Sequence, residues 1–148
     1  MDILFVQKEG TDLHSTLFSS ETSRDILRFY RPRRLDYGVS VTCATLGSAL
    51  ALVSELKWYV RRYVSSVIFE IEEGIYCTRA YAIDLYEHEE NLHNTWAFCH
   101  MIGIRDGYEA RMIIPEPGQR AEDYPEFCDS VDTVLTVRCS EDEISEDQ

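Results

Sequence analysis

Residues 37–86 constrain the fold most, because two hydrophobic periods follow one another there. Val39, Val41 and Cys43 alternate with Ser40 and Thr42, the period of a half-buried strand. Leu46, Ala49, Leu50, Val53, Leu56 and Val60 then recur at spacings of three and four. That is one apolar stripe, and it predicts a helix over Ser48–Tyr63 with Lys57, Arg61 and Arg62 at its C-terminal end. Ser65-Ser66 ends it. Val67–Ile71 and Tyr76–Leu85, joined by Glu72-Glu-Gly-Ile75, predict a hairpin whose second arm places Tyr76, Thr78, Ala80, Ala82 and Asp84 on one face. A strand–helix–hairpin unit of this kind predicts an α+β domain with a mainly antiparallel sheet.

The flanks add less. Ile3-Leu-Phe-Val6 reads as a first strand and residues 9–12 as a turn, while His14–Ser20 has no readable period. Ser23 is a good N-cap for a short helix, Arg24–Tyr30, that Pro32 stops. With the central helix this makes two. Beyond Tyr86, residues 86–94 read as a loop. Trp96–Ile104 and Tyr108–Ile114 then flank Arg105-Asp-Gly107, a hairpin signal made imperfect by Gly103. Trp96–Met101 capped by Asn94 is an alternative short helix. Residues 119–130 read as loop, Val131–Cys139 as the last strand and Ser140–Gln148 as a disordered acidic tail. The expected organisation is one domain over 1–139 and a tail over 140–148.

The formal charge of −13 is unevenly placed. Residues 121–148 carry ten carboxylates and one Arg, whereas residues 21–66 carry eight Lys or Arg and four carboxylates. Overall acidity opposes polyanion binding. No apolar run approaches the roughly 20 residues of a membrane span, and no basic segment precedes an apolar one at the N-terminus, so neither a membrane partner nor a secretory signal is expected. Five widely spaced cysteines without Cys-x-x-Cys point to reduced thiols and an intracellular protein.

No nucleophile elbow, catalytic-Cys signature or Gly-rich phosphate loop is present, and no enzyme activity or cofactor is expected. Gly47-Ser48 suits an anion-binding helix start or a simple cap. His88, Glu89, Glu90, His93, Cys99 and His100 are the densest group of metal-ligand types. Their spacing fits no known ligand motif, and no metal is expected; a solvated loop leading to one buried Cys is the plainer reading. Arg24, Arg28, Arg31, Arg33, Arg34, Lys57, Arg61 and Arg62 are interleaved with Tyr30, Trp58, Tyr59 and Tyr63. That is either a stacking surface for nucleic acid or two solvated helix faces over packed aromatics. Val137-Arg-Cys139-Ser-Glu141 resembles the Leu-x-Cys-x-Glu peptide that engages retinoblastoma-type pockets, with Val in the first place. Ser140, followed by acidic residues, fits an acidophilic kinase site.

Ser23-Arg-Asp-Ile-Leu-Arg28, the Val39–Cys43 segment, Ser66-Val-Ile-Phe-Glu-Ile71 and Thr78-Arg-Ala-Tyr-Ala-Ile-Asp-Leu85 together resemble the adenoviral early-region-4 open-reading-frame-3 family. The resemblance covers residues 23–92. It implies a non-enzymatic viral early protein that dimerises, polymerises and captures host nuclear proteins, and so a location in the host nucleus. Asp84 matches a residue that family needs for assembly. The neighbouring family Leu is Ala82 here, and a functional Asn falls on Arg61. Residues 93–148 have no counterpart and are expected to cap the surface that family uses to polymerise. The expectation is an accessory protein that binds and redirects host nuclear proteins as a homo-oligomer. The alternative is a small strand-helix-strand-strand nucleic-acid-binding module using the Arg-rich 24–34 and 57–62 segments.

Overall fold

In the computed structural model, which describes residues 1–87, 98–140 and 143, Ile3, Leu4, Phe5 and Val6 are all buried. A strand with one wet face would alternate, so this one is covered on both sides. The strands are β1 (Asp2–Gln7), β2 (Arg33–Leu35), β3 (Gly38–Thr42), β4 (Val64–Glu72), β5 (Ile75–Thr78), β6 (Cys99–Arg105), β7 (Tyr108–Ile113) and β8 (Thr133–Arg138). The helices are α1 (Leu13–Ser19), α2 (Glu21–Ile26), α3 (Leu46–Glu55), α4 (Lys57–Tyr63), α5 (Arg79–Glu87) and α6 (Pro125–Asp129).

All eight strands hydrogen-bond in the order β2-β3-β1-β4-β5-β8-β6-β7, and every pairing except β5–β8 is antiparallel. One face of the β2-to-β5 part carries Ile3, Phe5, Val39, Val41, Phe69 and Cys77. These pack under α1 to α5, through Leu13, Leu17, Ala49, Leu52, Val53, Leu56, Tyr59 and Tyr81. The other face carries Leu4, Val6 and Ile68, which pack on Ile102 and Ile104 of β6 and on Leu135 and Val137 of β8. Strands far apart in sheet order therefore lie face to face: the sheet folds back on itself. It turns at the β5–β8 contact, which has only two residue pairs, Tyr76↔Val137 and Cys77↔Arg138. The result is three layers, helices over a five-stranded part over a three-stranded part, and each fully buried Phe, Ile or Leu between them contributes about 1.5–3 kcal/mol.

The α+β class and the mostly antiparallel sheet agree with the sequence pattern; the two expected helices do not, because there are six among the described residues. The segment 76–85 is not one hairpin arm. β5 stops at Thr78, whose hydroxyl accepts the Tyr81 backbone N–H and so caps α5. From there Tyr81, Ala82 and Leu85 are buried at i, i+1 and i+4, a helical and not an alternating pattern. The helix expected over Ser48–Tyr63 is two, breaking at Leu56, whose ψ of 10° leaves the helical range. The break turns Tyr59 inward where the stripe pointed to Val60. Ser65 and Ser66 do not form a break; they lie within β4.

Near the N-terminus the untyped 14–20 segment is α1, capped by the Asp12 carboxylate on the Ser15 N–H. The Arg34 guanidinium also binds Asp12 at 2.7 and 2.8 Å and holds its carboxyl below the usual value. Ser23 is not an N-cap: α2 begins two residues earlier, and Ser23 is buried, its hydroxyl donating to the Leu17 carbonyl. Residues 119–130, read as loop, contain a 3₁₀ turn at Ala121–Asp123 and then α6. Gly103 sits inside β6 because α6 and its following turn press on it: a Cβ there would lie 2.6 Å from Val131 and 3.1 Å from Phe127. Asp106 and Gly107, with φ of 57° and 85°, make the tight turn that Asp-Gly suits.

Candidate binding groove

β4 is nine residues long and β5 only four. β5 pairs with β4 from Ile68 onward, then α5 turns the chain away. This leaves a groove of 340 Å³ beside the first half of β4, within the roughly 300–1,000 Å³ range of ligand clefts. Val53 and Val60 line it from the helical layer, Val67 from β4 itself, and Ile102, Met112 and Val137 from the three-stranded layer. Ser65, Ser66, Thr78, Arg79, His100 and Glu143 complete it.

The polar groups are held by their own neighbours. The Glu143 carboxylate accepts from Thr78 Oγ1 at 2.9 Å, Ser140 N at 2.7 Å and Ser140 Oγ at 3.3 Å. Ser66 Oγ donates to the Glu109 carboxylate at 3.1 Å, tying β4 to β7 across the fold. Arg79 donates to Ser54 Oγ at 3.2 Å, and among the described residues no carboxylate lies within ion-pair distance of it. Lys57 and Arg61 are exposed on α4 beside Val60. Among the described residues the groove thus holds one guanidinium, Arg79, and one carboxylate, Glu143.

The structure brings several sequence candidates together here. His100 and Val137 are paired residues of β6 and β8 and share the groove. Ser140 stands at its end through Glu143. Val137 and Cys139 are buried, and Val137 is paired on both sides, so this peptide cannot enter a foreign groove while the sheet is intact. Glu141 lies outside the described residues, as do His88, Glu89, Glu90 and His93 and most of the tail. Among the described residues no group of His, Cys, Asp and Glu has the arrangement of a metal site. Asp84 is half-buried on α5 and Ala82 fully buried beneath it, so neither is on a strand. Arg61 is exposed, and its carbonyl accepts from Lys8 Nζ at 2.8 Å.

The two Arg-rich segments are neighbours, as Ser20 and Tyr59 share a hydroxyl–hydroxyl bond of 2.6 Å. Tyr59 is buried, and Tyr30 and Tyr63 pack against the core. Trp58 and Phe29 are exposed, each with a neighbouring guanidinium, Arg62 and Arg28, over its ring at 4.8 and 4.9 Å. Gly47-Ser48 opens α3 with a capping box between Thr45 and Ser48, which uses the backbone N–H groups of those two residues. Thr78, Arg79, Ser66, Met112 and Glu143 were not legible as site residues. Only Thr78 carried a local signal, as a cap before the helix formers Arg79 to Leu85.

Beside the groove, β5, β8 and β6 set Cys77, Arg138 and Cys99 in one cross-strand row. Burial pushes the Cys77 thiol up to about 12, against the opposing pull of Arg138. It is therefore protonated and unreactive near neutrality. In native protein at pH 8, a thiol reagent is expected to label half-buried Cys128 first and Cys77 only on unfolding; mass spectrometry reads the order. A folded value above the ordinary 9.0 also means that this stabilisation is whole below pH 9 and is lost as pH rises towards 12.

A long, folded-over antiparallel sheet under a helical layer, with an apolar groove at the fold-over, defines an α+β protein with a ligand-sized cleft. The chain belongs to a family of unknown function, DUF5804, matched over residues 1–104. That span runs from β1 through Ile104 of β6; β7, α6 and β8 follow it. No curated protein and no solved structure matches the chain. No helix among the described residues is long and apolar enough to cross a membrane.

Proposed function

We propose that this protein acts by binding another protein and not by catalysis, with the groove beside β4 as the docking site. The observation that carries the reading is the groove's make-up: apolar side chains from both layers with the Arg79 guanidinium among them, the composition of a recognition cleft. The Glu143 carboxylate beside them accepts from Thr78 and Ser140 through one oxygen and so ties residue 143 to β5. The resemblance over residues 23–92 supports the same mode of action, capture of other proteins.

Affinity purification with the whole chain, from the cells that encode it, tests this. A protein partner is expected with the native chain and with Phe29→Ala, whose ring is 84% exposed away from the groove. It is expected to be lost with Met112→Arg, which puts a charged side chain on the groove wall. A partner retained by Met112→Arg, or turnover of a small molecule that depends on His100, overturns the reading.

A further inference from the structure

We propose that the first half of β4, Val64–Val67, takes an extended, acidic-flanked segment of the partner protein as an added strand. The inference rests on the reading of the groove as a protein-docking site and specifies how the partner lies in it. β1 covers one edge of β4 along its length, from Glu70 opposite Asp2 to Val64 opposite Gln7. β5 covers the other edge only from Ile68. Among the described residues, no strand pairs with that edge over 64–67. β5 cannot continue there, because Thr78 caps α5. Within this half, Val64 is buried, Ser65 is exposed, and Ser66 and Val67 are half-buried.

The walls suit a strand. Successive side chains of an extended chain point to opposite faces. Here one set would meet half-buried Val60 and Val67, and the next exposed Met112. Four added residues would span about 13 Å. The Arg79 guanidinium stands in the lining, which selects Asp or Glu beside the apolar positions. The outer edges of the sheet are blunted by comparison. β2 is three residues long, and β7 carries a bulge at Ala110, where Gly103 opposes Arg111 and Ile104 opposes Glu109. Arg111 there is drawn to Ser130 at 3.0 Å. The half-edge of β4 is the place where backbone donors and acceptors and two apolar surfaces coincide.

Selection of phage-displayed random peptides on the intact chain tests this, followed by hydrogen exchange with the selected peptide. Enriched peptides are expected to alternate apolar residues, to carry Asp or Glu at the flanks and to lack internal proline. Bound peptide is expected to slow exchange at least about tenfold at the alternate amides within 64–67 whose N–H points to the open edge, and Arg79→Glu to weaken binding roughly tenfold. Thermal unfolding of Arg79→Glu and of Met112→Arg confirms that each is folded; both residues are exposed. Peptides that bind, are lost with Met112→Arg, yet leave residues 64–67 unprotected overturn strand addition and leave the groove reading standing. No enrichment overturns both. Protection of the same amides in a concentration-dependent dimer without peptide gives the edge to a second copy and overturns the partner segment.

Discussion

Gly38→Ala is expected to unfold the protein, or to leave it so weakly folded that its urea midpoint falls near zero. Gly38 begins β3 and lies opposite Val6 of the central strand. A Cβ there would stand 1.8 Å from the Phe5 carbonyl oxygen and 2.9 Å from its carbon. Both are backbone atoms of a strand buried on both faces, so no side chain can swing aside. β3 would have to part from β1, taking the β2–β3 end of the sheet with it. Its φ of +159° adds to the difficulty. Single substitutions that cost more than about 4–5 kcal/mol are exceptional, and total stability is typically about 5–15 kcal/mol. Gly10→Ala is the control: φ is +83° but nothing lies within 4 Å, so about 1 kcal/mol is expected. Gly38→Ala unfolding with a near-native midpoint would show that β1 and β3 are not locked as described.

Gln7→Leu should be the most costly change of a polar side chain, at about 3 kcal/mol. Gln7 ends β1 and is only 8% exposed. Its Oε1 accepts the Leu13 N–H at 3.0 Å, and its Nε2 donates to the carbonyls of Gly107 at 3.1 Å and Asp36 at 3.5 Å. One amide thus joins the start of α1, the β2–β3 turn and the β6–β7 turn. Leu fills similar space, so the loss is that of the hydrogen bonds. Each buried group left without a partner costs about 1–3 kcal/mol. Urea unfolding at unchanged m would give the value. Because the β6–β7 turn carries β7, and β7 carries Met112, weaker peptide binding should accompany the loss. A change below about 1 kcal/mol would mean that Gln7 does not couple the layers.

Those two residues mark the limit of reading from sequence. Gln7 is an ordinary polar residue at a strand end, and nothing local tells it from Lys8. Its partners, Asp36 and Gly107, are 29 and 100 residues away. Gly38 carries no local signal either, because the residue it must touch, Val6, belongs to the distant first strand. Thr78 misled in another way. The run from Tyr76 to Leu85 alternates acceptably and also has helical spacing, and a cap hydroxyl decides between them only once the chain has a sheet to leave. The resemblance over residues 23–92 runs across that switch, and Asp84, its one matching assembly residue, stands on a helix. Within the metal-type cluster, His100 was legible as a residue with chemistry to offer, yet its place opposite Val137 in the groove was not.

What the sequence determined by itself is what depends on neighbours a few residues apart. It determined the α+β class, the apolar stripe of α3, the Asp-Gly turn at 106–107 and the first strand at Ile3–Val6, since periodicity and turn chemistry are local. Only the tertiary structure decided that the sheet folds back between β5 and β8, that α3 and α4 part at Leu56, and that β4 outruns β5 and leaves a groove. Each of these follows from burying one face against another that is distant in the chain, and the energy of that burial is not written in any single segment.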